Sequence, residues 1–373
     1  MPRIKTGYDC VHTIGSCRVF KKTLLFPLVA IIVVALGLFL YPKGQAAEPN
    51  NVRQQKFFVI FSYPLGQWSE GIVTGLSRYL QKTSVPFELK QYVYDSPLYA
   101  EKPAEEIKAE VEKILKLAHD YKPDFIIVCD DEGADLLIPA LKTQKTPLLF
   151  AGINKEKQDL PWLAGDAELT GVFERYPIEV SLKLLTNLTK GKVKSISLIT
   201  SINPTSVIIE KQFADYFKTH KTRIALKKVY MTNKWDEWKH AIITANKESN
   251  SLWMLVPWNV EDNTGNRLDL RVMGKWLSDN IQIPSISIVD INLQLGAMAS
   301  ISMTPQIMGE ELGDIIRLAI VEHKALSKIP YRYPSKHEII INKKQADRLG
   351  IKIPIEMLEY AQIMKEEQLR SDQ

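Results

Sequence analysis

From residue 56 onward, short apolar runs alternate with longer stretches in which apolar residues recur every three or four positions. The runs KFFVIFS (56–62), FELKQYVY (87–94), DFIIVCD (124–130) and PLLFAGI (147–153) read as strands. Between them, GQWSEGIVTGLSRYLQ (66–81) places Trp68, Ile72, Leu76 and Leu80 at helical spacing. PAEEIKAEVEKILKLAHD (103–120) opens with a proline and acids, as helices do, and EGADLLIPALKT predicts a short helix. The alternation restarts after Gly171, with strands at 195–201, 224–231, 251–257 and 284–290 and helices over 177–189, 204–219, 235–248 and 266–279. Continuous apolar strands separated by helices specify parallel sheets in an α/β protein. Two blocks of such units predict two lobes, each with its own sheet. AMASISM (297–303), a helix over 305–323 and HEIIIN (337–342) follow as a surplus, which predicts a chain that crosses back to finish the first lobe. The expected division is 51–171 with 297–325 for lobe 1, 172–296 with 326–345 for lobe 2, and a terminal helix over 346–373.

The first 47 residues belong to neither lobe. LLFPLVAIIVVALGLFLY (24–41) carries no charge, Lys21 and Lys22 precede it, and Ala46 and Ala47 follow. A basic flank, an apolar core and small residues describe a secretory signal cleaved near Ala46 or Ala47. The run also approaches the roughly 20 residues that span a bilayer, so an uncleaved anchor in the inner membrane is the alternative. Both readings export the remainder to the periplasm, because the positive residues stay inside. No cysteine follows the run, which argues against lipid attachment there. Residues 1–20 are long for a leader and show no pattern that explains them.

Removing that segment changes the charge. Of 48 basic and 43 acidic residues, six and one lie before residue 48, leaving 42 of each. The exported part is therefore neutral and lacks the basic footprint of a nucleic-acid binder. Cys129 is its single cysteine, so a packed core and not a disulfide must hold it together. That thiol ends an apolar run and reads as buried and inert. The chain contains no GxGxxG after a strand, no GxxxxGK[ST], no GxSxG and no HExxH. His119, His220, His240, His323 and His337 are scattered along it, unlike a metal set. Nothing calls for a cofactor or metal.

Candidate chemistry gathers at the strand ends, where open parallel sheets bind their ligands. The first lobe offers Ser62, Tyr63 and Trp68 in SYPLGQW, Asp130 and Asp131 in CDDEG, and Gly152 and Asn154 in AGIN. The second offers Ser201, Thr205 and Ser206 around a helix start, Trp258 in VPWN and Asp290 in VDIN. A helix start suits an anion, because its free amides and dipole favour negative charge. The competing reading is that the acids of CDDEG only cap the next helix. Aromatics, hydroxyls and carboxylates without a nucleophile and base describe recognition better than turnover. They suit a zwitterionic, amino-acid-like solute, with a sugar as the rival, since aromatic platforms beside Asp and Asn also serve pyranose rings.

These segments resemble a known family. KPDFIIVCDDEGADLLIPAL, TPLLFAGIN and LTGVFERYPIEVSLKLL are similar to the uncharacterised-type substrate-binding proteins of ABC transporters, which include tryptophan- and tyrosine-binding members. FSYPLGQWSEGIVTGL, LGAMASISMTPQIMGEELGDII and INKKQADRLGIKIPIEMLEYA extend the resemblance over residues 56–361; LVPWNVEDN departs from it in the second lobe. The resemblance implies a type I periplasmic-binding-protein fold. Two Rossmann-like lobes would be joined by crossings near 171–175, 293–300 and 325–337 and would close on a small molecule by a hinge motion. It also implies a non-catalytic monomer that serves an ABC permease. A ligand-sensing component of a signalling system, held by residues 24–41, is the alternative in a different class.

Overall fold

β1 (Gln55–Phe61) is buried along nearly its whole length, which requires a sheet covered on both faces. Phe57, Val59 and Phe61 enter one core layer, and Phe58 and Ile60 enter the other, as the two-residue period of a strand dictates. The computed structural model describes residues 53–96, 101–165, 168–334 and 336–364. The segment 24–41, read above as leader or anchor, and the tail beyond residue 364 lie outside the described residues. Among the described residues no helix is long and apolar enough to cross a membrane.

The first sheet joins β1 to β2 (Phe87–Val93), β3 (Phe125–Cys129), β4 (Leu148–Ile153) and β5 (Leu169–Phe173) in the order β2-β1-β3-β4-β5, all parallel. Between these strands run α1 (Gln67–Lys82), α2 (Ala104–Tyr121) and α3 (Asp131–Leu141). The second sheet contains β6 (Ser195–Thr200), β7 (Ala225–Met231), β8 (Leu252–Met254), β9 (Ser285–Ser287), β10 (Ala299–Ser302), β11 (Glu338–Ile341) and β12 (Ala361–Ile363). Its order is β12-β11-β10-β9-β8-β6-β7, parallel except for β10 against β11. Its helices are α4 (Ile178–Leu188), α5 (Pro204–Thr219), α6 (Trp235–Glu248), α7 (Leu270–Asn280) and the single turn α8 (Ile291–Gln294).

After β10 the chain returns to the first lobe as α9 (Pro305–Val321), which lies against α1. The contact is made backbone to backbone. A Cβ added at Gly75 would stand 2.0 Å from the Gln306 carbonyl oxygen, and one at Gly309 would stand 2.1 Å from that of Ile72. A Cβ at Gly71 or Gly313 would instead meet a side chain, Pro305 at 2.3 Å and Tyr79 at 2.8 Å. The repeated Gly-three-residues-Gly spacing in GIVTG (71–75) and GEELG (309–313) therefore seats the returning helix.

Three expectations change. Segment 297–303 does not return to the first lobe: Ala299 pairs with Ile286, and Ser302 pairs with Glu338, inside the second sheet. The side chains explain it, because Ala299 and Ile301 fill the second lobe's core while Met303, two residues later, is already in the first lobe's. Segment 326–334 stays with the first lobe. Leu326 and Ile329 pack into its core, and Arg332 exchanges backbone hydrogen bonds with Gly171 and Phe173 of β5. Finally, the described part of 346–373 is not a terminal helix. α10 (Lys343–Arg348) stops at Gly350, whose φ of +66° suits glycine, and Ala361–Ile363 adds β12 to the edge of β11. The chain crosses between lobes at 174–177, at Ser302–Met303 and between Tyr333 and Glu338.

Candidate functional site

The order of each sheet reverses once, between β1 and β3 in the first and between β6 and β8 in the second. Parallel sheets open a crevice at the carboxyl ends of such strands. Both crevices are built around a buried serine. Ser62 Oγ donates to the Cys129 carbonyl at 2.7 Å and accepts from the Gly133 amide at 2.9 Å, tying β1, β3 and α3 together. Ser201 Oγ donates to the Val256 carbonyl at 3.0 Å, across the equivalent gap in the second lobe. Neither serine has any exposed surface. They shape the crevice floor, and their hydroxyls are occupied.

The acids of CDDEG divide their duties. Asp131 accepts the amides of Asn154 and Lys155, both at 3.0 Å, so it orders the loop after β4. Asp130 has a φ of +69°, unusual for a residue with a Cβ, and carries no side-chain cap bond to α3. Its carboxyl accepts from the Ser62 amide at 3.3 Å, and the Trp68 indole hydrogen-bonds to it. Gly152, at φ +71°, keeps the space beside them open: a Cβ there would lie 3.3 Å from Asp130 Oδ1 and 3.7 Å from Trp68 Cζ2. Burial pushes the Asp130 carboxyl up to about 8, and the negative charges of Glu174 and Glu132 add to that, against the Ser62 and Trp68 hydrogen bonds.

Glu174, on the first crossing, is a member of this cluster that the sequence reading missed. It is 8% exposed, and its carboxyl accepts from Tyr176 Oη at 2.7 Å and Asn154 Nδ2 at 3.0 Å. Burial pushes it up to about 7 despite those two donors. Its neighbour Arg175 points elsewhere, donating to the carbonyls of Ile153, Asn154, Glu174 and Lys155. In FERYP the pair looks like a solvated Glu-Arg, and only the crossing's burial reveals the acid.

The second lobe places Ser201, Thr205 and Ser206 together at the start of α5, but most of the donors there are taken. Asn203 caps the helix, accepting the Ser206 amide at 2.9 Å, while Ser206 Oγ accepts the Asn203 amide and donates to the Ser201 carbonyl. Pro204 has no amide, so the Thr205 amide is the donor left in the first turn among the described residues. Trp258 is half-buried against the lobe's core, and Asp290 accepts from Ser302 Oγ at 2.7 Å. Among the described residues no hydrogen bond joins Trp258 or Asp290 to the first-lobe cluster.

Two contacts bridge the lobes at the crevices. Tyr63 Oη donates to Glu132 Oε1 at 2.8 Å, and the Thr205 hydroxyl bonds to it from the second lobe; burial and Glu132 push the phenol's pKa up. Gln212 Nε2 of α5 donates to the Asn154 carbonyl at 2.7 Å and to Glu156 Oε1 at 3.2 Å. The strand ends of the two lobes thus face one another. Among the described residues no three His, Cys, Asp or Glu side chains converge as a metal site requires.

Sequence comparison matches residues 72–365 to the family described as "ABC transporter substrate binding protein". No curated protein matches the chain by sequence. Among solved structures, the "ABC domain in complex with L-Trp" from Streptococcus pneumoniae aligns with a TM-score of 0.56 at 18% identity. It covers 83% of this chain and 100% of that one. The ligand-free, open structure of CD0873, a substrate-binding protein with adhesive properties from Clostridium difficile, aligns with a TM-score of 0.62 at 16% identity, covering 83% and 99%. AraP, an arabinose-binding protein from Geobacillus stearothermophilus, aligns at 0.52 and 12% identity, covering 80% and 100%. These likenesses establish the type I periplasmic-binding-protein fold.

Proposed function

The chain belongs to the ABC transporter substrate-binding protein family, and on that premise we propose that it is an extracytoplasmic receptor which closes on one small solute and delivers it to a membrane permease. The observation that carries the reading is the pair of facing crevices, lined by Tyr63, Trp68, Asp130, Gly152 and Asn154 on one side and by Thr205 on the other. These groups recognise; none pairs a nucleophile with a base. The solute we favour is amino-acid-like: its ring would rest on Trp68 or Trp258, its ammonium near Asp130, and its carboxylate on the Thr205 amide. The Streptococcus structure holds L-Trp and AraP is named for arabinose, so the neighbours at this level of identity support both an amino acid and its sugar rival. The receptor acts as a monomer without cofactor or nucleic acid, exported by residues 24–41 and released near Ala46 or Ala47. Retention of that apolar segment as an anchor would favour the sensing reading, and mass spectrometry of the native amino terminus separates the two.

A thermal-shift screen against amino acids, nucleosides and sugars tests the receptor function. A ligand that binds only the folded protein stabilises it by about 2.7 kcal/mol at 100 times its Kd, which a melting curve resolves. A reproducible upward shift with one chemical class is expected. Turnover of any probe would overturn the reading.

A further inference from the structure

Asp130 and Glu174 are 9% and 8% exposed, the charge of Glu174 lies close enough to raise the Asp130 pKa, and among the described residues no cation hydrogen-bonds to either carboxyl. The cationic groups nearby are committed. Lys155 pairs with Asp135, and Arg175 spends its donors on four backbone carbonyls and Glu156. Beside the acids, Asn154 is 4% exposed and donates through Nδ2 to Glu174, yet its Oδ1 is buried with no hydrogen-bond partner. A buried acceptor without a donor is destabilising, and that cost falls away when a donor arrives. Two carboxyls and an amide oxygen supply acceptors in excess, and the donors they hold in the empty pocket are the carboxyls' own protons. What such a pocket lacks is a group with several N–H bonds and a positive charge.

We propose that Asp130, Glu174 and the Asn154 side-chain carbonyl form a subsite for a protonated amine, which on binding displaces a carboxyl proton to solvent. This deepens the solute-receptor reading and rests on it. It assigns Glu174, on the hinge crossing, as a specificity-determining residue, and it takes Asp131 out of ligand contact, since both of its oxygens hold backbone amides. The ammonium keeps its proton; the proton released is the one that the carboxyl held in the empty pocket, so charge and atoms balance. The same contact couples recognition to closure, because Glu174 and Tyr176 lie on the segment 174–177 that crosses between the lobes.

The direction of the pH dependence follows from the groups that face the pair. Asp130 is faced by Glu132, Glu174, Tyr63 and Cys129, and Glu174 by Asp131, Tyr176 and Arg175; from the second lobe the uncharged Thr205 and Gln212 bond to the neighbouring Tyr63 and Asn154. Carboxylates outnumber cations, so the empty pocket holds protons near neutrality: burial raises Asp130 to about 8 and Glu174 to about 7. A bound amine lowers both. Affinity should therefore rise from pH 6 to pH 8 and level off above it.

The experiment uses the exported protein with the twenty common L-amino acids, the des-amino carboxylic acid of each that binds, and arabinose, ribose and glucose. Binding is measured by calorimetry at pH 6, 7 and 8 in buffers of different ionisation enthalpy. We expect an amino acid to bind, its des-amino analogue to bind at least tenfold more weakly, and its affinity to increase about tenfold or more over this range with proton release. Glu174→Gln, isosteric and neutral, should weaken binding tenfold or more and reduce the proton release; Asp130→Asn should do the same. Equal binding of the des-amino analogue, or binding confined to sugars, overturns the amine subsite while leaving the receptor reading intact. An amino acid bound without proton release or pH dependence also overturns it. Failure of every probe sinks the receptor reading for these classes and the subsite with it.

Discussion

A methyl group added at Gly133 would stand 2.4 Å from Ser62 Oγ, closer than real carbon atoms come, although the Gly133 backbone itself is ordinary helix. Gly133→Ala should therefore push α3 off the end of β1 and cost about 1–3 kcal/mol, as overpacking does. Ser62→Ala should cost a similar amount for a different reason: the buried Gly133 amide and Cys129 carbonyl each lose their partner. Urea midpoints read both. Titration of the crevice supplies a second test. An acid whose folded pKa lies above its unfolded one keeps its proton on folding, so its contribution is greatest below the unfolded value and is lost as pH rises. For Asp130 the window runs from about 4, the ordinary Asp value, to about 8, and for Glu174 from about 4 to about 7. Stability of the ligand-free protein should fall across that range, at no more than about 1.4 kcal/mol per pH unit for each group. Asp130→Asn should flatten the curve, and an unchanged slope in that variant would show that the acid titrates normally. Strand-end position was enough to place Ser62, Asp130 and Ser201 beside the crevices, a matter of location and not of ligand contact. Which hydroxyls are consumed by the framework was not legible, because Ser62, Ser201 and Ser206 are spent on carbonyls and amides brought in from distant strands or turns.

At the scale of elements, glycine-to-alanine changes should divide by partner. Gly75→Ala and Gly309→Ala each set a Cβ against a backbone carbonyl at about 2 Å, which no rotamer relieves. Each should lower stability by about 1–3 kcal/mol or more, while the intrinsic helix propensity of alanine favours it by about 1 kcal/mol. The close approach wins, so the sign is opposite to that expected of an isolated helix. Gly66 makes the contrast: it caps α1 in extended backbone, nothing lies within 4 Å of its added Cβ, and Gly66→Ser should stabilise by a few tenths of a kcal/mol. Asn203→Ala, which removes the side-chain half of the α5 cap and leaves the backbone amide of residue 203 on Ser206 Oγ, should cost about 1 kcal/mol. Thermal melts rank all four. Element type was readable wherever periodicity was long, as in α1, α2 and α5, whose ends fall within a residue or two of the pattern. It was not readable in LEYAQI, where Ala, Glu and Leu favour helix but the open edge of β11 offers three residues a ladder of hydrogen bonds. AMASISM misled in a similar way: its strand pattern was clear, and only partner choice, settled by the cores that Ala299 and Ile301 fill, decides its lobe.

For the whole molecule, the three crossings are held differently from the crevice mouth, and the difference predicts how the lobes respond to mutation. Arg332, in the first lobe just before the third crossing, donates to Glu311 and Asp314 of α9, both at 2.7 Å, and Asp314 also takes Tyr79 of α1 and Arg317. Burial alone would raise Asp314, but those donors outweigh it and hold the carboxyl down to about 2. All of these groups lie on one side of the hinge. Arg332→Met should therefore destabilise the first lobe with little effect on closure. Gln212 and Tyr63 lie between the lobes, and their bonds to Asn154, Glu156 and Thr205 form only when the crevices face each other. A net hydrogen bond is worth about 0.5–1.5 kcal/mol, so losing one should lower the ratio of closed to open forms by about twofold to tenfold. Apparent affinity falls with the closed population. Gln212→Leu should accordingly enlarge the radius of gyration of the ligand-free protein in small-angle scattering, leave the unfolding free energy from urea titration within about 0.5 kcal/mol of wild type, and weaken solute binding severalfold. Tyr63→Phe should act alike on scattering and binding but also lower stability by about 0.5–1.5 kcal/mol, because it removes the bond to Glu132 inside the first lobe. Arg332→Met should show the reverse pattern. If Gln212→Leu shifts the urea midpoint but neither the scattering nor the affinity, the contact belongs to the framework and the lobes close without it.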